Sequence, residues 1–195
     1  MNATIVYAHP NPLSFNHALL ERTTAQLQAA GATTHVRDLY ALGFDPLLKP
    51  ADFQAFQQGA VPADIQAEQD YIRAADWLVF IYPTWWWDRP AILKGYIDRV
   101  FSYGFAFGVG PDSAVLPLLT GKKALVLNTF GGPTQTQEQV GNTGNLAAKS
   151  MTLGTLALCG IDTVYHPLNG LAGSTPESRA GMLSDVQHLV ARTVS

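Results

Sequence analysis

The chain has one cysteine, Cys159, among 195 residues. No internal disulfide is possible, and a lone thiol inside an apolar run reads as an inert core residue of a reducing, cytoplasmic protein. Charge is scarce as well: 14% of residues are charged and the formal net charge is −3. A nucleic-acid or anionic-membrane binder would carry a basic stripe, so neither partner is expected. No apolar run approaches the roughly 18–20 residues of a membrane span, so no span is expected. The amino terminus enters directly into Thr4-Ile5-Val6-Tyr7, without the basic and then apolar leader of a secretory signal. Nucleotide and hydrolase signatures are missing: there is no G-x-G-x-x-G after the first apolar run, no complete P-loop around Gly121-Lys122, and no G-x-S-x-G elbow. Five scattered histidines have no ligand spacing, so no metal site is expected.

What remains is an apolar chain, 47% hydrophobic, long enough to bury one large core and short enough to form a single domain over residues 1–195. Thr4–Ala8 reads as a buried strand that ends at His9-Pro10-Asn11-Pro12, where two prolines enforce a loop. Ser14 is an N-cap candidate for a helix running to about Ala30 and stopped at Gly31. Thr34–Leu39 alternates as a strand near a sheet edge. Residues 40–62 form a long excursion with one helical turn at Phe53–Gln58, and Ala63–Ala75 is a helix candidate. The apolar run Trp77–Tyr82 is a strand stopped by Pro83, and Ile92, Leu93, Tyr96, Ile97, Val100 and Phe101 give the next helix a strong apolar stripe. Tyr103–Leu119 reads as irregular. Ala124–Thr129 is a strand, Leu146–Cys159 a helix ended by Gly160, Thr163–His166 a last strand, and Pro176–Val194 a final helix. This alternation predicts an α/β flavodoxin-like three-layer sandwich on a five-stranded parallel sheet of order 2-1-3-4-5.

The oddest stretch is Trp85-Trp86-Trp87, three large flat side chains in a loop between a buried strand and a helix opened by Pro90. In that fold the loops His9–Ser14, Pro83–Asp88 and Phe130–Thr134 meet at the carboxyl ends of strands flanking the topological switch, where such sheets bind ligands. The first offers a helix N-terminus suited to a phosphate, with Ser14, Asn16, His9 and His17 as donors. Gly131-Gly132 lets backbone amides approach a ring edge. An aromatic wall, a phosphate cradle and edge donors together suit a flavin best.

Those residues carry a resemblance. Ala8-His9-Pro10 with Ser14-Phe15-Asn16, Pro83-Thr84-Trp85-Trp86-Trp87 with Pro90–Gly95 and Arg99-Val100-Phe101, and Thr129-Phe130-Gly131-Gly132 resemble, in order and spacing, the flavin-dependent NAD(P)H quinone oxidoreductases, both DT-diaphorase-like and shorter bacterial ones. The resemblance implies FAD, or alternatively FMN, with NAD(P)H as co-substrate and a quinone or similar planar acceptor. It implies cofactor contacts at His9, Phe15, Asn16, His17, Ala18, Pro83, Thr84, Trp85, Trp86, Trp87, Thr129, Phe130, Gly131 and Gly132. Trp86 and Trp87 would carry the flavin wall while Trp85 turns toward core or interface. A substrate pocket would use Trp86, Phe107, Gly131, Gly132 and Gln137, at the interface of a homodimer. The tyrosine and histidine that the family places after Gly-Gly, as proton relay, fall by spacing on Gln137 and Thr143, so no catalytic acid is assigned. A flavodoxin-type electron carrier and a regulatory flavoprotein docked on a membrane transporter are the alternatives.

Overall fold

The computed structural model describes residues 1–139 and 145–194. In chain order it runs β1 (Asn2–Tyr7), α1 (Phe15–Ala29), β2 (Thr33–Asp38), α2 (Pro50–Gln57), α3 (Ala63–Ala74), β3 (Trp77–Pro83) and α4 (Ala91–Val100). There follow β4 (Phe107–Val109), β5 (Val115–Pro117), β6 (Lys123–Thr129), α5 (Thr134–Gln139), α6 (Leu146–Met151), β7 (Asp162–Leu168) and α7 (Pro176–Thr193). Five strands form one parallel sheet of order β2-β1-β3-β6-β7, and β4 and β5 pair separately as an antiparallel hairpin. Leaving that hairpin aside, the order is the one expected, with β2 on the edge.

Two cores lie on the two faces of the sheet, and the central strands split their side chains between them with period two. Ile5, Tyr7, Trp77, Val79, Ile81, Leu125 and Leu127 pack with Leu19, Leu27, Val186 and Val190 of α1 and α7. Val6, Leu78, Phe80, Tyr82, Ala124 and Val126 pack with Ile72, Leu93, Tyr96 and Val100 of α3 and α4. Side chains of this kind contribute roughly 1.5–3 kcal/mol each when fully buried. The sequence makes both faces legible because each is served by continuous apolar strands.

Four local expectations need correcting. Pro83 does not stop β3; it pairs with Thr129 as its last residue. The Thr84 N–H points to β6, donating to the Thr129 carbonyl at 2.7 Å, so the Pro83 nitrogen faces the β1 side. There β1 has already ended its pairing at Tyr7–Ile81, and no donor is needed. The excursion carries a full helix, α2, opened by Pro50 at its first position and boxed by Asp52. The Tyr103–Leu119 segment holds the β4–β5 hairpin, whose three-residue strands are too short to show a period. Finally, the helix at 146–159 is α-helical only to Met151 and continues as a π-helical turn, Thr152–Ala157. Hydroxyls compete for its carbonyls there: Thr152 donates to Ala148 O at 2.8 Å and Thr155 to Ser150 O at 3.0 Å.

Charge holds the excursion to the body. Arg99 of α4, its side chain 4% exposed, donates from Nε and Nη2 to Asp52 and from Nη1 to Asp64 and the Asp45 carbonyl. Next to it, a Cβ on Gly95 would stand 2.1 Å from the Pro46 carbonyl oxygen. Glycine is required there for the excursion to lie against the helix.

Candidate cofactor site

The loops β1–α1, β3–α4 and β6–α5 emerge side by side at the carboxyl ends of adjacent strands. Chain direction across the sheet reverses between β1 and β3, so a crevice opens there. Asn16 on the first turn of α1 is buried and its amide exchanges hydrogen bonds with the Thr129 hydroxyl, at 2.9 and 3.3 Å. The first and third loops are thus joined before any ligand arrives.

The tryptophan loop is a four-residue turn closed from both ends. Trp85 N donates to Asp88 O at 2.9 Å and Asp88 N to Trp85 O at 3.1 Å. Its two central residues, Trp86 and Trp87, have φ of 51° and 62°, the signs of a type I′ turn, a conformation that favours Asn-Gly. Bulky residues there are strained by about 1–3 kcal/mol each. Trp86 receives no compensating burial, being 99% exposed. Arg89 anchors the turn: buried, it donates to Ser150 Oγ and Thr155 Oγ1 at 3.1 Å and reaches Met151 Sδ at 3.3 Å, all around the π-helical turn.

Thr84, Trp86 and Trp87 form one side of a cavity of about 350 Å³, and Phe130, Gly131, Gly132, Pro133 and Thr136 the other. That size is in the range of small-molecule sites. Among the described residues, no acceptor engages the N–H groups of Trp86, Trp87, Gly131 or Gly132. A Cβ at Gly131 would meet no atom of the described residues within 4 Å, and its φ is not in the left-handed region. Neither neighbours nor backbone require glycine there, so the open space it leaves is available to a ligand edge.

The first loop is a donor cradle. Ser14 caps α1 by accepting from His17 N at 3.1 Å, and the first turn leaves the Phe15 and Asn16 N–H groups without intrahelical acceptors. No acidic residue occupies that turn, so the helix dipole there is uncompensated and favours an anion. His9 Nδ1 accepts from Asn11 N at 3.1 Å, which leaves Nε2 as the proton-bearing nitrogen. Burial lowers the His9 pKa below its usual value, so the ring is a neutral donor. His17 Nδ1 is buried with no partner among the described residues. A flat apolar wall, edge donors and an anion cradle in one crevice fit a flavin: Trp86, Trp87 and Phe130 would hold the ring, Gly131 and Gly132 its edge, and the α1 first turn its phosphate.

A family model described as "Flavodoxin-like fold" matches residues 1–190. The chain belongs to this flavodoxin-like family. Within it, an uncharacterised NAD(P)H oxidoreductase of Haemophilus influenzae is 37% identical over 171 residues, covering 87% of this chain and 84% of that protein. The human ribosyldihydronicotinamide dehydrogenase [quinone] is 34% identical, covering 92% of this chain and 86% of that one. The solved NAD(P)H:quinone oxidoreductase of Methanothermobacter marburgensis superposes with a TM-score of 0.86 at 31% identity, over 100% of this chain and 98% of that chain.

On this flavodoxin-like frame the expected residues divide. Thr84, Trp86, Trp87, Phe130, Gly131 and Gly132 line the cavity itself. His9, Phe15, Asn16, His17 and Ala18 cluster at the α1 N-terminus instead, with the Asn16 side chain turned to Thr129 and the Ala18 N–H donating to Ser14 O. Pro83 and Thr129 are buried strand ends. Trp85 is not in the core: it is 41% exposed and its ring stands 6.0 Å from that of His9, because the tight turn swings it away from the sheet. Phe107 lies on the hairpin, lining other clefts of the same chain. Gln137 falls on α5, but its side chain is outside what the structure describes, and Thr143 lies outside the described residues. Of the other lining residues, Pro133 falls inside the expected Phe130–Thr134 loop, whereas sequence reasoning missed Thr136. Thr136 lies on α5, two residues past that loop, and extending the loop by one turn of the helix would have found it.

Proposed function

We propose that the chain is a flavin-dependent NAD(P)H oxidoreductase that passes two electrons to a quinone or similar planar acceptor. The observation that carries this is the cavity at the switch point, with tryptophans on one side and, on the other, Gly131 and Gly132 amides that no acceptor among the described residues engages. The relatives' names support it. A bound flavin would supply a two-electron carrier between donor and acceptor. The residues supply the rest. Trp86 offers an exposed indole face for stacking a planar substrate, the glycine amides orient polar ring atoms, and neutral His9 holds a proton on Nε2 toward an anion. Burial raises the Tyr165 phenol and the Cys159 thiol, the latter to about 11, so both keep their protons at neutral pH and neither is an ionised nucleophile.

We infer FAD as the flavin, on the resemblance of the three loops to quinone reductases. We further infer a cytoplasmic homodimer. Its support is an apolar face formed by Leu48, Phe53, Tyr103 and Phe107 around a cleft of about 560 Å³, continued by exposed Val109, Val115 and Leu116. Exposed apolar surface of this extent marks an interface, and it would carry Phe107 toward a second copy. No helix among the described residues is long and apolar enough to cross a membrane.

The test is direct. Purified protein supplied with FAD or FMN should turn yellow and bleach anaerobically with NADH or NADPH, and re-oxidise on adding a quinone. Mass spectrometry of the released cofactor separates FAD from FMN, and light scattering gives the oligomeric state. A protein that takes up neither flavin refutes the reading.

A further inference from the structure

Asn128 is wholly buried near the carboxyl end of β6. A buried amide must satisfy both its ends or cost about 1–3 kcal/mol for each group left bare. Asn128 does so through three partners. Its Nδ2 donates to the Tyr82 carbonyl at 3.2 Å. Its Oδ1 accepts from the Thr84 hydroxyl at 3.1 Å and from the Tyr165 hydroxyl at 2.7 Å. The Tyr82 carbonyl fixes which end is which, because a flipped amide would set two proton-less oxygens against each other. Both hydroxyls therefore donate inward.

Thr84 lines the cavity. With its only hydroxyl proton spent on Asn128, the Thr84 oxygen has lone pairs and nothing else to offer a ligand. We propose that Asn128 is a positioning residue that fixes Thr84 as an obligate hydrogen-bond acceptor at the cavity wall, so that the site favours a ring in the form carrying more N–H groups. For a flavin this is the two-electron-reduced form. The hydride from NAD(P)H carries two electrons and one proton, a second proton comes from solvent, and the ring gains N–H where the oxidised ring has bare nitrogens. The inference rests on the flavin reading above and adds that this chain's own polar pair raises the potential of the bound ring.

The experiment compares wild type, Thr84→Val, Asn128→Leu and the double variant, each loaded with FAD, or with FMN where FAD does not bind. The readout is the midpoint potential, from anaerobic reductive titration against a dye of known potential. Thr84→Val should reduce the preference for reduced over oxidised flavin about tenfold, a fall of about 30 mV for a two-electron couple. Asn128→Leu should lower it at least as much, because the freed Thr84 hydroxyl can then donate to the oxidised ring. The double variant should match Thr84→Val alone, since Asn128 has nothing left to act through. Additive shifts, or an unchanged potential in Thr84→Val, overturn the inference while leaving the flavin reading intact. If Asn128→Leu does not fold, Thr84→Val decides alone. Wild-type protein that binds neither flavin overturns both.

Discussion

Replacing Trp86 by Asn should make the ligand-free protein more stable and the loaded protein weaker. Trp86 is 99% exposed, so its removal forfeits no apolar burial within the chain. Its φ of 51° is one that asparagine adopts readily and a bulky residue does not, a difference of about 1 kcal/mol at the low end of left-handed strain. The Trp85–Asp88 hydrogen bonds that close the turn are backbone bonds and survive the change. For a chain of this size a gain of about 1 kcal/mol raises Tm by roughly 2–4 °C. Flavin affinity should move the other way, falling about tenfold for the loss of roughly 1.4 kcal/mol of aromatic stacking. Calorimetry of the flavin-free protein and fluorescence titration with FAD measure the two halves separately. An Asn variant that melts several degrees below wild type without flavin would refute the reasoning. It would show that the exposed indole stabilises the chain itself.

Further outcomes follow from other parts of the structure. Gly131→Ala should fold as well as wild type, since its Cβ enters open space at an ordinary φ, yet bind flavin at least tenfold more weakly by titration. Gly95→Ala forces its Cβ against the Pro46 backbone and should destabilise by about 1–3 kcal/mol in urea melts. Arg99→Met strands the buried Asp52 carboxylate and should cost about 3–5 kcal/mol, with residues 45–57 the first to gain hydrogen exchange. Stability should also fall with pH in two steps. Burial holds His9 and His166 below 6.5 in the fold, so below that pH the unfolded chain binds protons that the native one does not. Asp52, held below 3.8 by Arg99, contributes fully above that pH and loses its contribution as the pH falls through its lower native value. Denaturant midpoints between pH 8 and pH 3 test the signs.

Much of this architecture was legible because its signals are local and repeated. Continuous apolar strands, a Ser14 cap and a Gly31 stop each act within a few residues, and the order of elements then leaves few topologies. The three ligand loops were found from residue type because prolines, tryptophans and glycines constrain the backbone strongly. What escaped depended on contacts distant in sequence. Arg99 gathers Asp45 and Asp52 from an excursion with no clean period, and Asp64 from the helix that follows it. The π-helical turn arises where hydroxyls and a guanidinium from another loop compete for a helix's polar groups. The displacement of Trp85 from the core follows from a turn type that strongly favours Asn-Gly, occupied here by Trp-Trp. Asn128 looked like one polar residue at the end of an apolar strand until Thr84, Tyr82 and Tyr165 were seen around it.

The π-helical turn has a consequence for how this protein tolerates insertions and deletions. A π-helical turn is a helix with one residue too many, and Arg89 grips the residues beside the surplus. Removing a single residue from 152–157 would restore a regular helix while rotating everything before it by about 100°. Ser150 and Met151 would leave the guanidinium, and the tryptophan turn would lose its far anchor. The shape of the cavity wall is therefore encoded partly as a length, in a helix whose described residues do not line the cavity, and aligned relatives that differ there by one residue should differ in their tryptophan loop.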